Sequence, residues 1–327
     1  MLLSIIVPVY NRVEEMKELL QSLSEQQNRD FEVIVVEDGS TETSESVVND
    51  YSSRLLIRYF TKPNSGPGLS RNFGAEHSSG EYLVFLDSDC VVPPQYTQVL
   101  HDYLDCNRVD TFGGPDAASE EFSDFQKAVS YSMTSFFTTG GIRGGKRKLD
   151  RFFPRSFNMG YRRETYNQYG GFSSMRIGED MELSYRLVEK GCSSVLIPQA
   201  YVYHKRRSTS KSFFRQVFRF GMTRINLYLR YPSTLKLVHF LPSLFTIYTA
   251  IAVLITLFFS RFALVPVFLI ALIWFLNSTM INRSVNVGIL SIKTSFIQLF
   301  GYGSGLLYGA WIRLVLKKSE EETFSND

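Results

Sequence analysis

Two stretches of this chain leave little freedom in how it can fold. "FLPSLFTIYTAIAVLITLFF" (240–259) and "FALVPVFLIALIWFLNSTMI" (262–281) each run for twenty residues without a charged side chain. A helix needs about 20 apolar residues to cross the hydrocarbon core of a bilayer, and each run is long enough. Only Ser260 and Arg261 separate them, which predicts a tight helical hairpin; the alternative is a hairpin buried in a soluble core. A third uncharged run, "TSFIQLFGYGSGLLYGAWI" (294–312), carries Gly301, Gly305 and Gly309 at four-residue intervals, on one helix face suited to close packing. A segment over 294–316 could span the bilayer, re-enter it or lie on its surface. Lys317 and Lys318 follow it, and positive charge prefers the cytoplasm, where two spans leave them and three do not.

Charge divides the chain in the same way. Residues 1–204 hold 20 Lys and Arg against 28 Asp and Glu, whereas 205–319 hold 15 Lys and Arg and no acid. A basic stretch beside apolar runs has a membrane, not nucleic acid, as its anionic partner. Within "KSFFRQVFRFGMTRINLYLRYP" (211–232), Phe214, Val217, Phe218, Gly221, Ile225 and Tyr228 share one helix face, and Lys211, Arg215 and Arg219 share another. Residues 205–236 are therefore expected to lie as an amphipathic helix in the bilayer interface, ahead of a membrane region over 237–318 and an acidic tail over 319–327. Some of the arginines could hold the diphosphate of an acceptor.

The first 204 residues read differently. "MLLSIIVPVYNR" is too short and too poor in basic residues for a secretory leader and reads as a strand. "RVEEMKELLQSLSEQ" (12–26) has helical spacing, "FEVIVVEDGS" (31–40) is a second strand, and "LLIRYF" (55–60) a third. After the turn and helix of "NSGPGLSRNFGAEHSSG" comes the apolar strand of "EYLVFLDSDC". Strands alternating with helices imply an α/β domain with a mainly parallel, Rossmann-like sheet covered on both faces. Ligands of such sheets bind beyond the carboxyl ends of the strands. Tyr10, Asn11, Asp38, Asp87 and Asp89 all fall there. Cys90, Cys106 and Cys192 are spaced as neither a disulfide framework nor a zinc site.

Asp87 and Asp89, one residue apart at a strand end, suit a hard divalent cation such as Mg²⁺ or Mn²⁺, which takes one or two carboxylates together with substrate phosphates. The same pair could equally be ordinary loop acids. Arg71, in the first turns of the helix after Gly66 and Gly68, could pair with a phosphate or sit exposed near a helix cap. Asp180 opens the helical "EDMELSYRLVEKG", where acids suit the helix dipole; the functional alternative is a general base that deprotonates an attacking hydroxyl. His204, in "YVYHKRR", could be a third metal ligand, a phosphate donor or a strand-end histidine with a local partner. The glycine-rich, basic loop at 140–151 could close over a phosphate or be an idle surface loop.

"SIIVPVYN", "VVEDGS", "GPGLSRNFGA", "FLDSDC" and "GGF…GEDMELSYRL" follow one another in the order seen in family 2 glycosyltransferases of the GT-A fold, which the chain resembles over about residues 1–210. The resemblance implies a nucleotide-sugar donor, Mg²⁺ or Mn²⁺, and inversion at the anomeric carbon. It implies nucleoside contacts for Pro8, Val9, Tyr10 and Asp38, and ribose, diphosphate and metal contacts for Asp87 and Asp89. Asp180 matches the second residue of the family's Glu-Asp pair, the usual base. Glu37 departs from the aspartate common there. The Gln-x-x-Arg-Trp string of processive, cellulose-synthase-like members is absent. The layout is similar to that of non-processive bacterial enzymes that extend sugars on a polyprenyl diphosphate. The expectation is thus a multi-pass enzyme of the cytoplasmic membrane, its catalytic domain on the cytoplasmic side, acting on a lipid-linked acceptor in envelope polysaccharide assembly. The alternatives are a polyprenyl-phosphate monosaccharide synthase and a silent nucleotide-binding scaffold.

Overall fold

The computed structural model describes residues 1–117, 122–140, 152–320 and 322. The basic loop beyond Gly140 and most of the acidic tail lie outside the described residues. The described chain divides into two compact units, residues 1–117 with 152–205, and residues 122–140 with 206–322.

The chain begins as strand β1 (Leu3–Val9), helix α1 (Val13–Ser24), β2 (Phe31–Asp38), α2 (Glu45–Tyr51), β3 (Ile57–Lys62), α3 (Pro67–Glu76) and β4 (Tyr82–Leu86). It continues through β5 (Cys90–Val91), α4 (Tyr96–Cys106), β6 (Thr111–Gly113) and β7 (Asp116–Ala117). Helices α5 (Asp124–Thr134) and α6 (Phe136–Thr139) leave for the second unit. The first unit resumes with β8 (Asn158–Arg162), α7 (Arg163–Tyr169), α8 (Glu179–Glu189), β9 (Ser194–Leu196) and β10 (Val202–His204). Helices α9 (Ser210–Arg230), α10 (Leu241–Phe258), α11 (Val265–Asn282) and α12 (Val285–Ala310) complete the second unit.

In the first unit a seven-stranded sheet runs in the order β3-β2-β1-β4-β8-β6-β9. Strands β3, β2, β1 and β4 are parallel, and β8 is antiparallel to both β4 and β6. Alternation along β1 explains the two layers of core. Leu3, Ile5, Val7 and Val9 face Met16 and Leu19 of α1 and Tyr96 and Leu100 of α4. Ile6, with Phe85 of β4, faces Ala75 of α3, Tyr166 of α7 and Leu183 and Leu187 of α8. The fold is therefore the expected mainly parallel α/β sheet covered on both faces. Strand β3 lies two residues later than the sequence reading of 55–60, because its register sets Lys62 opposite Asp38 and the lysine amine bonds that carboxylate.

In the second unit two helical segments are long and apolar enough to cross a membrane, Leu237–Phe258 and Phe262–Asn282. Helix α12 starts earlier than expected and is not a third such segment among the described residues. Side chains placed at its Gly288 would meet Phe275 and Thr279 near the end of α11, and at its Gly303 they would meet Pro242 and Thr246 at the start of α10. Both contacts lie at the same end of the hairpin, so α12 crosses the base of the hairpin and does not run along it. Its other glycines are taken up by α9. A Cβ at Gly221 would lie 2.2 Å from the Tyr302 carbonyl oxygen, and one at Gly305 2.0 Å from that of Phe218. The two backbones approach closely because neither helix has a side chain there. Val217, Gly221 and Ile225, which the spacing turned towards the bilayer, are instead buried within the second unit together with Phe213, while Phe214 is exposed. Arg224 is also buried, on a face that the spacing gave to apolar residues.

Candidate active site

The end of β4 sets the site. Leu86 is its last apolar residue, and the chain turns so that Asp87 and Asp89 face different partners. Asp87 Oδ1 accepts from Arg71 Nη2 at 2.6 Å. Asp89 Oδ1 lies 3.2 Å from His204 Nε2, the two side chains being equally half-buried. Strand pairing produces the second contact: β10 runs antiparallel to β5, placing His204 opposite Cys90 and so beside Asp89. Phe157 stacks on the imidazole with ring centres 5.1 Å apart, which fixes the plane of the ring.

Arg71 is neither exposed nor at a cap. It is buried, with Nη1 donating to Glu179 Oε1 at 2.8 Å while Nη2 holds Asp87, and its guanidinium lies 5.3 Å over the Phe172 ring. Burial works against its charge, but Asp87 and Glu179 outweigh that and keep it protonated. Glu179 is pushed up to about 7, first by burial and further by neighbouring Asp180, against the pull of Arg71. One guanidinium thus joins the acid at the end of β4 to the acids that open α8. Gly68 makes room for this: a Cβ there would meet Glu179 Cγ at 3.0 Å.

Asn72 fixes the turn before α8. Its amide donates to the Phe172 carbonyl at 2.8 Å, and its carbonyl oxygen accepts from Phe172 N–H at 2.8 Å and from Tyr166 Oη at 2.6 Å. Asp180 Oδ2 accepts from the Ser156 backbone N–H at 3.2 Å, and Ser156 Oγ lies 3.5 Å from Asp87 Oδ2. Ser156 therefore stands between the two acidic motifs. Nothing in its sequence surroundings marks it.

The residues after β1 and β2 form a second cluster. Asp38 is buried, and its carboxylate accepts from Lys62 Nζ and from the backbone N–H groups of Ser65 and Gly66, both at 2.9 Å. It organises the turn into α3, and any ligand must share its lone pairs. Glu37, one position earlier, accepts at Oε2 from Ser44 Oγ at 2.6 Å and from Tyr59 Oη at 3.1 Å. The extra methylene of a glutamate gives it that reach. Asn11 has φ of 51° and accepts from Thr41 N–H at 2.9 Å, which joins the end of β1 to the loop after β2. Tyr10 beside it is 53% exposed, Pro8 is half-buried and Val9 is buried. Lys62 was not singled out by sequence reading; the signal was its register opposite Asp38.

Asp89, Cys90 and His204 offer ligand atoms all within 4.8 Å of one another. The Cys90 S–H, however, donates to the Phe157 carbonyl at 3.3 Å, and burial keeps the thiol well above its ordinary pKa. The Asp89 carboxylate, with Asp87 nearby in sequence, offers the oxygen donors that a hard divalent ion takes, and the His204 imidazole adds a nitrogen donor. The set could hold a divalent ion that needs few protein ligands because a substrate phosphate supplies the rest.

An open, mainly parallel sheet with carboxylates gathered past its strand ends is the frame of an α/β domain that binds its ligand there. The chain belongs to glycosyl transferase family 2, whose family model matches residues 4–170. Among curated relatives, the chain is 41% identical over 30% of its length to a validoxylamine A glucosyltransferase of Streptomyces hygroscopicus subsp. jinggangensis, covering 24% of that protein. It is 27% identical over 62% of its length to the chondroitin synthase of Escherichia coli, covering 34% of it. The chain spans well under half the length of most curated relatives it matches, from 12% upward. Among solved structures, a mannosyltransferase from Pyrobaculum calidifontis in complex with GDP-Man and Mn²⁺ shares its fold with a TM-score of 0.64 at 16% identity, over 95% of this chain and 87% of that one. S. aureus TarS in complex with UDP-GlcNAc gives a TM-score of 0.51 at 22% identity, over 69% of this chain and 67% of that one.

Proposed function

We propose that the chain transfers a sugar, with inversion, from a nucleotide-diphosphate sugar to a lipid-linked acceptor on a polyprenyl diphosphate, in cell-envelope polysaccharide assembly. The observation that carries the reading is the meeting of the two acidic motifs: Asp87 on Arg71 Nη2, Glu179 on Arg71 Nη1, and Asp180 on the Ser156 N–H beside Asp87. The fold neighbours in complex with GDP-Man and UDP-GlcNAc support the donor class.

In this reading Tyr10, Pro8, Val9 and Asp38 border the nucleoside, Asp87 the ribose and diphosphate, and Arg71 keeps Asp87 aimed at them. Asp89 and His204, with Asp87, would hold Mg²⁺ or Mn²⁺, whose charge eases departure of the nucleoside diphosphate. Asp180 takes the proton of the acceptor hydroxyl as the new glycosidic bond forms opposite the breaking bond between the anomeric carbon and the diphosphate. Residues 205–236 form the interfacial region and the hairpin 237–282 the anchor, with the catalytic domain on the cytoplasmic side.

The test is a screen of nucleotide sugars against lipid-linked acceptors with membrane-extracted protein, reading released nucleoside diphosphate. Turnover that needs a divalent ion and is lost in Asp89→Ala supports the reading; no turnover with any donor supports a nucleotide-binding scaffold. Asp180→Asn should cripple transfer to a sugar hydroxyl. It should spare transfer to a lipid phosphate, which is already ionised, and such sparing would make the chain a polyprenyl-phosphate monosaccharide synthase.

A further inference from the structure

Helices α5 and α6 lie in sequence between strands of the α/β sheet, yet they pack entirely within the second unit. Helix α5 starts where α12 starts, with Asn286 donating to Asp124 Oδ2. It then runs along α12, with Val129 and Met133 packed on Phe213 and Val217 of α9: Thr294 Oγ1 donates to the Ala128 carbonyl at 2.9 Å, and Tyr131 Oη reaches α11 at Asn277 Oδ1, 3.0 Å away. At its far end the indole N–H of Trp274 donates to the Phe137 carbonyl at 3.1 Å. Trp274 sits eight residues before the end of α11 at Asn282, about 12 Å along the helix at 1.5 Å per residue.

The composition of the segment suits that depth. Lys127 is its last charge; from Ala128 through Gly140 there is none. Phe136 and Phe137 stand edge to face and are 70% and 48% exposed. The hydroxyl groups turn inward onto the helices' own carbonyls. Ser132 Oγ donates to Val129 O at 2.9 Å, Thr134 Oγ1 to Ser130 O at 2.8 Å, and Thr138 and Thr139 Oγ1 to Ser135 O at 3.0 and 2.8 Å. In hydrocarbon a segment must satisfy its polar groups internally, and these bonds meet that requirement.

We infer that residues 128–140 insert into the acyl region of the membrane beside α11, with Phe136 and Phe137 facing lipid. The apolar hairpin would then not be the only part of the chain at that depth. The inference rests on the membrane-anchor reading given above, and the test separates the two. Phe136→Cys and Ile251→Cys, the latter mid-way along α10 and exposed, are each made in a Cys106→Ser, Cys192→Ser background and labelled with an environment-sensitive fluorophore. The labelled full chains are reconstituted in phosphatidylethanolamine–phosphatidylglycerol vesicles that carry a spin label midway along the acyl chain. The label at position 136 should be quenched at least half as strongly as the label at 251, and both should resist aqueous iodide. Quenching at 251 with iodide access at 136 overturns the insertion of 128–140 and leaves the anchor standing. Iodide access at both positions overturns the anchor.

Discussion

Arg71 shows how one side chain can decide the state of several others. Replacing it by methionine leaves the buried Glu179 and the half-buried Asp87 without their shared cation, and breaking a buried pair such as that to Glu179 costs about 3–5 kcal/mol. We expect Arg71→Met to lower the denaturation midpoint sharply and Arg71→Met/Glu179→Gln to recover part of the loss; equal loss in both would mean that Glu179 is not the partner that matters. Glu179 also makes stability depend on pH. Because the folded chain binds its proton more tightly than the unfolded chain, its contribution is present below the ordinary value of 4.5 and is lost as pH rises towards about 7. Relative to Glu179→Gln, the native chain should lose at most about 3–4 kcal/mol across that window, the difference between 4.5 and about 7 at about 1.4 kcal/mol per pH unit. Melting curves of both proteins test this, and a difference independent of pH would rule it out. The acids themselves were legible in the sequence, since each follows a strand or opens a helix. That Arg71 is a buried tie was not legible, because both of its partners come from distant segments.

At the level of elements, the crossing of α9 and α12 is the most sensitive contact in the second unit. Gly305→Leu would drive a side chain against the Phe218 backbone, which cannot yield as a flexible side chain would. Overpacking of this kind costs about 1–3 kcal/mol, so the variant should lose thermal stability in detergent while Ile251→Leu, on the exposed face of α10, changes it far less. Similar melts for the two would refute the close crossing. The glycine spacing at 301, 305 and 309 announced a packing face. It did not say that the partner would be α9, nor that α12 would lie across the hairpin, since a periodic face specifies what can approach and not what does.

For the whole molecule, a hairpin that crosses the bilayer twice returns both of its ends to one side. With sealed vesicles and a membrane-impermeant maleimide, and in a Cys106→Ser, Cys192→Ser background that removes the accessible native thiols, Ser208→Cys and Ser319→Cys should react from the same side and Ser260→Cys from the other, all three positions being exposed. Reaction of all three from one side would make the hairpin a dipping element and not a span. Much was fixed by the sequence alone: the parallel α/β sheet, the acids past its strand ends and the hairpin all follow from local periodicity and from runs of charge, which act through neighbouring residues. Only the tertiary structure could decide that His204 meets Asp89, that Ser156 stands between Asp87 and Asp180, and that α5 and α6 leave the sheet to pack on Trp274. Those outcomes depend on strand register and on contacts between segments far apart in the chain, and no local pattern encodes which distant surface will come to satisfy a given polar group.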